Sequence, residues 1–202
     1  MLTLYTWTTP NGFKPLILLE ELGLPHNVVP VNIGQGEQHR HDYLRINPNG
    51  KIPALVDEEG GQRTVVFESG AILIYLAEKA GRLLPKEGPA RYEALAWLMF
   101  QMGGIGPMLG QAGHFLRLPE KIPYAIERYT SEAQRLYGVL NGRLGEAEYL
   151  AGDYSIADIA TFPWVRNPAF FGLSIEQWPN VLRWIEAIGA RPAVQRALTY
   201  KP

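Results

Sequence analysis

Thr8-Thr9-Pro10-Asn11-Gly12 places three hydroxyl or amide side chains within five residues, directly ahead of an apolar run. If a helix starts here, those donors sit beside its positive end. Such a site stabilises an anion, a thiolate included, by hydrogen bonds and the helix dipole. The same residues are also what a strand-to-helix turn requires. In Phe67-Glu68-Ser69-Gly70, Ser69 reads as a helix N-cap with Glu68 beside it. Together they can hold an α-amino acid head group, the carboxylate on Ser69 and the helix N–H groups, the ammonium on Glu68. A plain N-cap accounts for the pair equally well. Asn49-Gly50-Lys51-Ile52-Pro53-Ala54-Leu55 enters a strand at Pro53. A cis Ile52-Pro53 bond would turn the Ile52 N–H and C=O outward to pair with an extended peptide. A trans X-Pro strand start is the commoner alternative.

Three further segments carry a pattern. Ser155-Ile156-Ala157-Asp158 is a capping box, with Tyr154 placed to staple onto Ile159, and its role is structural. Between Gln101 and Phe115 lie five glycines and Pro107, which should bend or interrupt a helix. An irregular connection between helices, or a close approach of backbone or ligand, explains them. The four histidines, His26, His39, His41 and His114, show no metal-ligand spacing, so no metal site is expected.

These residues need elements to hold them. Leu2–Trp7 reads as a strand, Phe13–Leu22 as a helix and Asn27–Ile33 as a second strand, with Pro30 at an edge or end. A loop with a short helix spans 34–47. Pro53–Asp57 and Thr64–Phe67 read as a hairpin turning at 58–62, followed by a helix over Ser69–Ala80. The order β-α-β-(α)-β-β-α makes a small mixed sheet, the first two strands parallel and the last two antiparallel. Beyond it the strand signal fades. Ala90–Met102, Pro123–Leu144, Ser155–Trp164 and Pro179–Ala190 carry helical periodicity. The domains expected are residues 1–82 and 90–202, with 83–89 as linker.

Composition removes several function classes. Nineteen Lys and Arg against twenty Asp and Glu leave a formal charge of -1, without the basic surplus that nucleic acid requires. Cysteine is absent, which excludes disulfides, thiolate metal sites and a protein thiol nucleophile. The N-terminus lacks the pattern of a signal peptide. The longest apolar run, Ala71–Ala77, is far short of the ~20 residues that span a bilayer. A cytoplasmic protein without membrane contact is expected.

With these residues in view, the chain resembles the cytosolic glutathione transferase superfamily over nearly its whole length. The shared features are the element order, Lys51-Ile52-Pro53, Glu68-Ser69 and Ser155–Asp158. It is most similar to the nu class, related to the yeast nitrogen-regulatory prion protein. The segments that carry this are Thr9–Gly12, Gly103–Met108, Gln111 with His114-Phe115, and Ile122–Tyr129. The resemblance implies an α/β thioredoxin-like domain followed by an all-α domain, a homodimer, and a cis Ile52-Pro53 bond. It implies glutathione, reduced or oxidised, as substrate, and no metal. The γ-glutamyl head would lie on Glu68 and Ser69, and the cysteinyl backbone on Ile52 beside Pro53. The glycyl end would reach Gln38 and Lys51, and the sulfur would lie near Thr9 and Asn11. Arg128 would contact ligand from its own or the partner subunit. Trp7, Met108, His114 and Phe115 would form the second-substrate pocket.

The activity implied is glutathione-dependent disulfide-bond reduction with weak transferase activity, Thr9 and Asn11 donating hydrogen bonds to a bound thiolate. One or two glutathione molecules per site fit this expectation. A conventional conjugating transferase or peroxidase is the alternative, and a non-catalytic glutathione-binding regulator the second. Tyr5, near the same turn, is expected to pack rather than to ionise the thiol.

Overall fold

The structure is a computed structural model describing residues 1–202. Its first unit is built on four strands: β1 (Leu2–Thr6), β2 (His26–Pro30), β3 (Ala54–Glu59) and β4 (Gln62–Phe67). The order across the sheet is β2-β1-β3-β4. β1 runs parallel to β2 and antiparallel to β3, and β3 antiparallel to β4. This is the mixed sheet expected. The hairpin turns at Gly60-Gly61, both at positive φ.

Alternation along β1 fixes what each face buries. Leu2, Leu4 and Thr6 are buried on one face. Helices α1 (Pro10–Leu22) and α3 (Ser69–Ala80) supply Leu16–Leu19, Ile72, Leu73 and Leu76, all buried to 3% exposure or less. Tyr5, on the other face, packs in a second cluster with Val31, Tyr43, Ile46, Ile52 and Ala54. Tyr43 belongs to the one-turn helix α2 (His41–Leu44). Tyr5 lies 6.2 Å from the Tyr43 ring, as a packing residue would.

The second unit, Glu87–Ala190, is helical. It contains α4 (Pro89–Phe100), α5 (Gly106–Arg117), α6 (Pro123–Glu146), α7 (Ile156–Val165) and α8 (Pro179–Gly189). The glycine-rich segment behaves differently from the expected break. Gln101–Ile105 form a π-helical turn that passes directly into α5, whose first turn carries Pro107. The glycines admit neighbours. A Cβ on Gly106 would lie 2.8 Å from Gln101 Nε2, and one on Gly110 3.4 Å from the Trp164 ring.

The capping box at α7 is complete. Asp158, fully buried, accepts from the Ser155 and Leu150 N–H groups (3.0 Å each) and from Trp184 Nε1 (2.9 Å). Tyr154 meets the Tyr149 ring edge at 5.3 Å. The last helix, α9 (Pro192–Leu198), belongs with the first unit, which comprises 1–86 and 191–202. Arg191 holds Glu21 of α1 through two bonds of 2.6 and 2.9 Å, and Arg196 pairs with Glu20 at 2.7 Å. The sequence boundary grouped 90–202 together because these arginine partners lie some 170 residues away.

Candidate functional site

Strand register gathers the candidate residues of the first unit. Thr6 pairs with Pro30, Tyr5 with Ala54, and Ala54 with Phe67. The turn after β1, the segment after β2, the approach to β3 and the exit of β4 therefore open at one end of the sheet. Thr9 and Asn11, Gln38, Lys51 to Pro53, and Glu68 with Ser69 all stand on those four connections.

The turn after β1 is tight. A Cβ on Gly12 would lie 2.0 Å from the Trp7 carbonyl oxygen and 2.5 Å from Thr6 Oγ1, so only glycine lets α1 start this close to the strand. Thr6 Oγ1 donates to the Gly12 carbonyl at 3.1 Å, and the Thr9 N–H to the Trp7 carbonyl at 2.8 Å. Thr9 is the N-cap of α1; its Oγ1 accepts from the Gly12 N–H at 3.2 Å. That bond uses an oxygen lone pair, and the hydroxyl proton remains available to donate. Thr9 and Asn11 are half-buried at the positive end of a 13-residue helix.

The Ile52-Pro53 bond is cis. Lys51 is exposed, Ile52 half-buried and Pro53 buried. The carbonyl before Ile52 is pinned from two sides: Tyr43 Oη and Asn47 Nδ2 each donate to the Lys51 oxygen at 2.6 Å. Burial raises the Tyr43 hydroxyl pKa to about 12, against a smaller lowering from Asn47, so it stays a donor. Gln38 follows β2 in a short 3-10 turn, and its buried Oε1 has no hydrogen-bond partner.

At the exit of β4 one assignment changes. Ser69 is the first residue of α3, not its cap; the cap is Glu68, at φ 70° and ψ 120°, which makes no side-chain capping bond. The strand carries Glu68 past the helix end, so its side chain turns outward, exposed, and Asn49 Nδ2 donates to it at 3.3 Å. Ser69 is 3% exposed, and its Oγ accepts from Lys14 Nζ at 3.3 Å. Lys14 is 1% exposed. Burial lowers its pKa to about 7, the Glu68 carboxylate partly opposing the shift. Lys14, Asn47 and Tyr43 were not among the residues singled out from sequence. The signal for Lys14 was a lysine inside an otherwise apolar helix start, Phe13-Lys14-Pro15-Leu16.

The remaining candidates fall in two places. Trp7 is in the first unit, half-buried beside Thr9. In the second unit, Met108 of α5 and Arg128 of α6 line one open cleft of about 720 Å³. Glu132 and Arg135, paired at 2.7 Å, line it too. His114, exposed, meets Phe115 edge-on at 5.1 Å, and Phe115 stacks on Tyr129 at 5.4 Å. No His, Asp or Glu side chains cluster as metal ligands. No helix is long and apolar enough to cross a membrane.

Residues 1–78 match the family model of the glutathione S-transferase N-terminal domain, and 118–192 that of the C-terminal domain. The chain belongs to the glutathione S-transferase family. The chain is 50% identical over 203 residues to the disulfide-bond oxidoreductase YfcG of Escherichia coli K12, covering 98% of the chain and 94% of that protein. A glutathione transferase family member from Pseudomonas fluorescens, solved with two glutathione molecules bound, superposes with a TM-score of 0.92 at 48% identity, covering 98% of this chain and 92% of that one. One from Pseudomonas putida, holding one glutathione disulfide per subunit, gives 0.93 at 43% identity, over 100% and 92%. The thioredoxin-like sheet domain followed by helices is thus the architecture of the family, as the resemblance implied.

Proposed function

We propose that this protein is a glutathione-dependent disulfide-bond reductase whose reacting sulfurs all belong to its substrates. One observation carries the reading: Thr9 Oγ1 caps α1 through a lone pair, leaving its proton for an anion at the helix end. In a chain without cysteine, that anion is a ligand thiolate. The γ-glutamyl head of glutathione rests on Glu68 and Ser69, its cysteinyl backbone on Ile52, and its glycyl end near Gln38 and Lys51. Thr9 and Asn11 donate to the sulfur. The known names of relatives, a disulfide-bond oxidoreductase and subunits holding two glutathiones or their disulfide, support the same chemistry.

The bound thiolate attacks one sulfur of a small disulfide. A glutathione mixed disulfide forms and the other half leaves as a thiolate, which takes a proton from water. A second glutathione thiolate attacks the glutathione sulfur of the mixed disulfide, giving oxidised glutathione and the second reduced thiol. Two electrons pass from two glutathiones to one disulfide. Arg128 serves as a ligand contact, the active form is a homodimer, and the enzyme works in the cytoplasm. Aromatic contacts at His114, Phe115 and Tyr129 favour a second reading, conjugation of an apolar electrophile, with Met108 lining the same helical unit's cleft.

Steady-state turnover of 2-hydroxyethyl disulfide and of an aryl halide, each with glutathione, tests the assignment. Disulfide turnover far above conjugation is expected, falling at least tenfold in Asn11→Ala. The reverse preference would establish the transferase reading. Tight glutathione binding without turnover of either would leave a binding protein.

A further inference from the structure

Lys14 is the most deeply buried charged side chain of the first unit, 1% exposed against 4% for Asp57, and the mechanism above gives it no task. It stands on α1 and reaches across to α3, where Nζ donates to Ser69 Oγ. Resting on the assignment of Glu68 and Ser69 to the γ-glutamyl head, we propose that Lys14 is a positioning residue that makes binding of the ligand α-carboxylate take up a proton.

The reasoning follows from what each group can donate. An ammonium has three protons and no lone pair. While Lys14 is charged, Ser69 Oγ must accept from it, and the Ser69 proton goes to another acceptor. A ligand carboxylate is such an acceptor, and the nearby positive charge strengthens the bond. A neutral amine has a lone pair and can take the Ser69 proton instead. Ser69 then presents lone pairs to the carboxylate, and the cation that attracted it is gone. The two protonation states differ in affinity for one ligand group, which is the condition for linkage.

The surroundings place the transition in an accessible range. Burial brings Lys14 to about 7, with Glu68 pulling the other way. The other charged groups on elements packed against α1 are already engaged. On α3, Tyr75 and Lys79 are bonded to Asp57. On α9, Arg191 and Arg196 hold Glu21 and Glu20. On β1, Tyr5 lies against Tyr43. A bound carboxylate favours charged Lys14, so its pKa rises on binding. Affinity is therefore full below about pH 7 and declines as pH rises from there to the bound-state pKa.

S-methylglutathione is the probe, because its blocked sulfur cannot titrate. Its Kd is measured by calorimetry at pH 6.5, 7.5 and 8.5 for wild type, Lys14→Met and Lys14→Gln. Loss of a charged hydrogen bond predicts roughly ten- to hundredfold weaker binding by the variants at pH 6.5. The variant-to-wild-type ratio should shrink by about tenfold or more by pH 8.5; taking the ratio removes the ligand amine's own titration. The wild type provides a second route that needs no variant. An analogue with 4-aminobutanoyl in place of γ-glutamyl lacks the α-carboxylate, and its Kd ratio to the parent should shrink likewise. Ratios that do not change with pH would overturn the role of Lys14 while leaving the site intact. Absence of S-methylglutathione binding to wild type at every pH would instead overturn the site assignment on which the proposal rests.

Discussion

Replacing Thr9 by alanine removes one oxygen atom with two separate tasks, and the two can be measured apart. The first task is capping: Oγ1 accepts the Gly12 N–H at 3.2 Å. Loss of an N-cap of this kind costs about 1 kcal/mol, within a range of roughly 0.5–2. A fold with a stability of about 5–15 kcal/mol tolerates that loss. The second task is donation to the thiolate. A hydrogen bond to a charged group contributes about 1.5–3 kcal/mol, and one pKa unit corresponds to ~1.36 kcal/mol. The thiol of bound glutathione should therefore rise by about one to two units. Where the bound thiol is mostly protonated, each unit of rise cuts the thiolate fraction at a fixed pH about tenfold, and disulfide turnover drops roughly tenfold or more. Thr9→Ser keeps both tasks and should resemble wild type. The assays are thiolate absorbance near 240 nm across a pH titration, and urea denaturation for the capping loss. A Thr9→Ala protein that is destabilised but holds glutathione with an unchanged thiol pKa would refute the assignment of Thr9 to the sulfur. It would leave Thr9 as a cap alone.

Two other substitutions probe the supports of the site and the fold. Asn47→Ala removes one of the two donors that hold the Lys51 carbonyl; it should raise the KM for glutathione several-fold with kcat little changed, because it loosens the approach to Ile52 without touching the sulfur. Equal effects on both parameters would argue against this. Asp158→Ala strands the buried Trp184 Nε1 and the Leu150 and Ser155 N–H groups; at about 1–3 kcal/mol for each unsatisfied group, the loss should exceed about 3 kcal/mol in urea denaturation. A loss under about 1 kcal/mol would show that the network is dispensable.

Much of this was legible in the residues. Alternation in Leu2–Thr6, turn chemistry at Thr8–Gly12 and the capping box at Ser155–Asp158 are local patterns, and local patterns are written in consecutive residues. The glycine-rich stretch after Phe100 misled because glycine lowers helix propensity without forbidding a helix. There, the close approach of Trp164 and Gln101 favours small residues in a continuous helical path. Ser69 read as a cap because serine usually caps. Its position inside α3 follows from the backbone at Glu68, which is set by how β4 meets the helix.

By itself, the sequence determined the order of elements, the location of each candidate side chain on a turn or helix start, and the absence of any protein thiol. These depend on composition and on spacings of a few residues. The tertiary structure alone decided that four connections open at one end of the sheet, that α9 returns to α1, and that a lysine at position 14 lies under Ser69. Those facts depend on strand register and on packing between residues 55 to 170 positions apart. The free energies that set them come from burial and pairing across the fold, which no short window of sequence records.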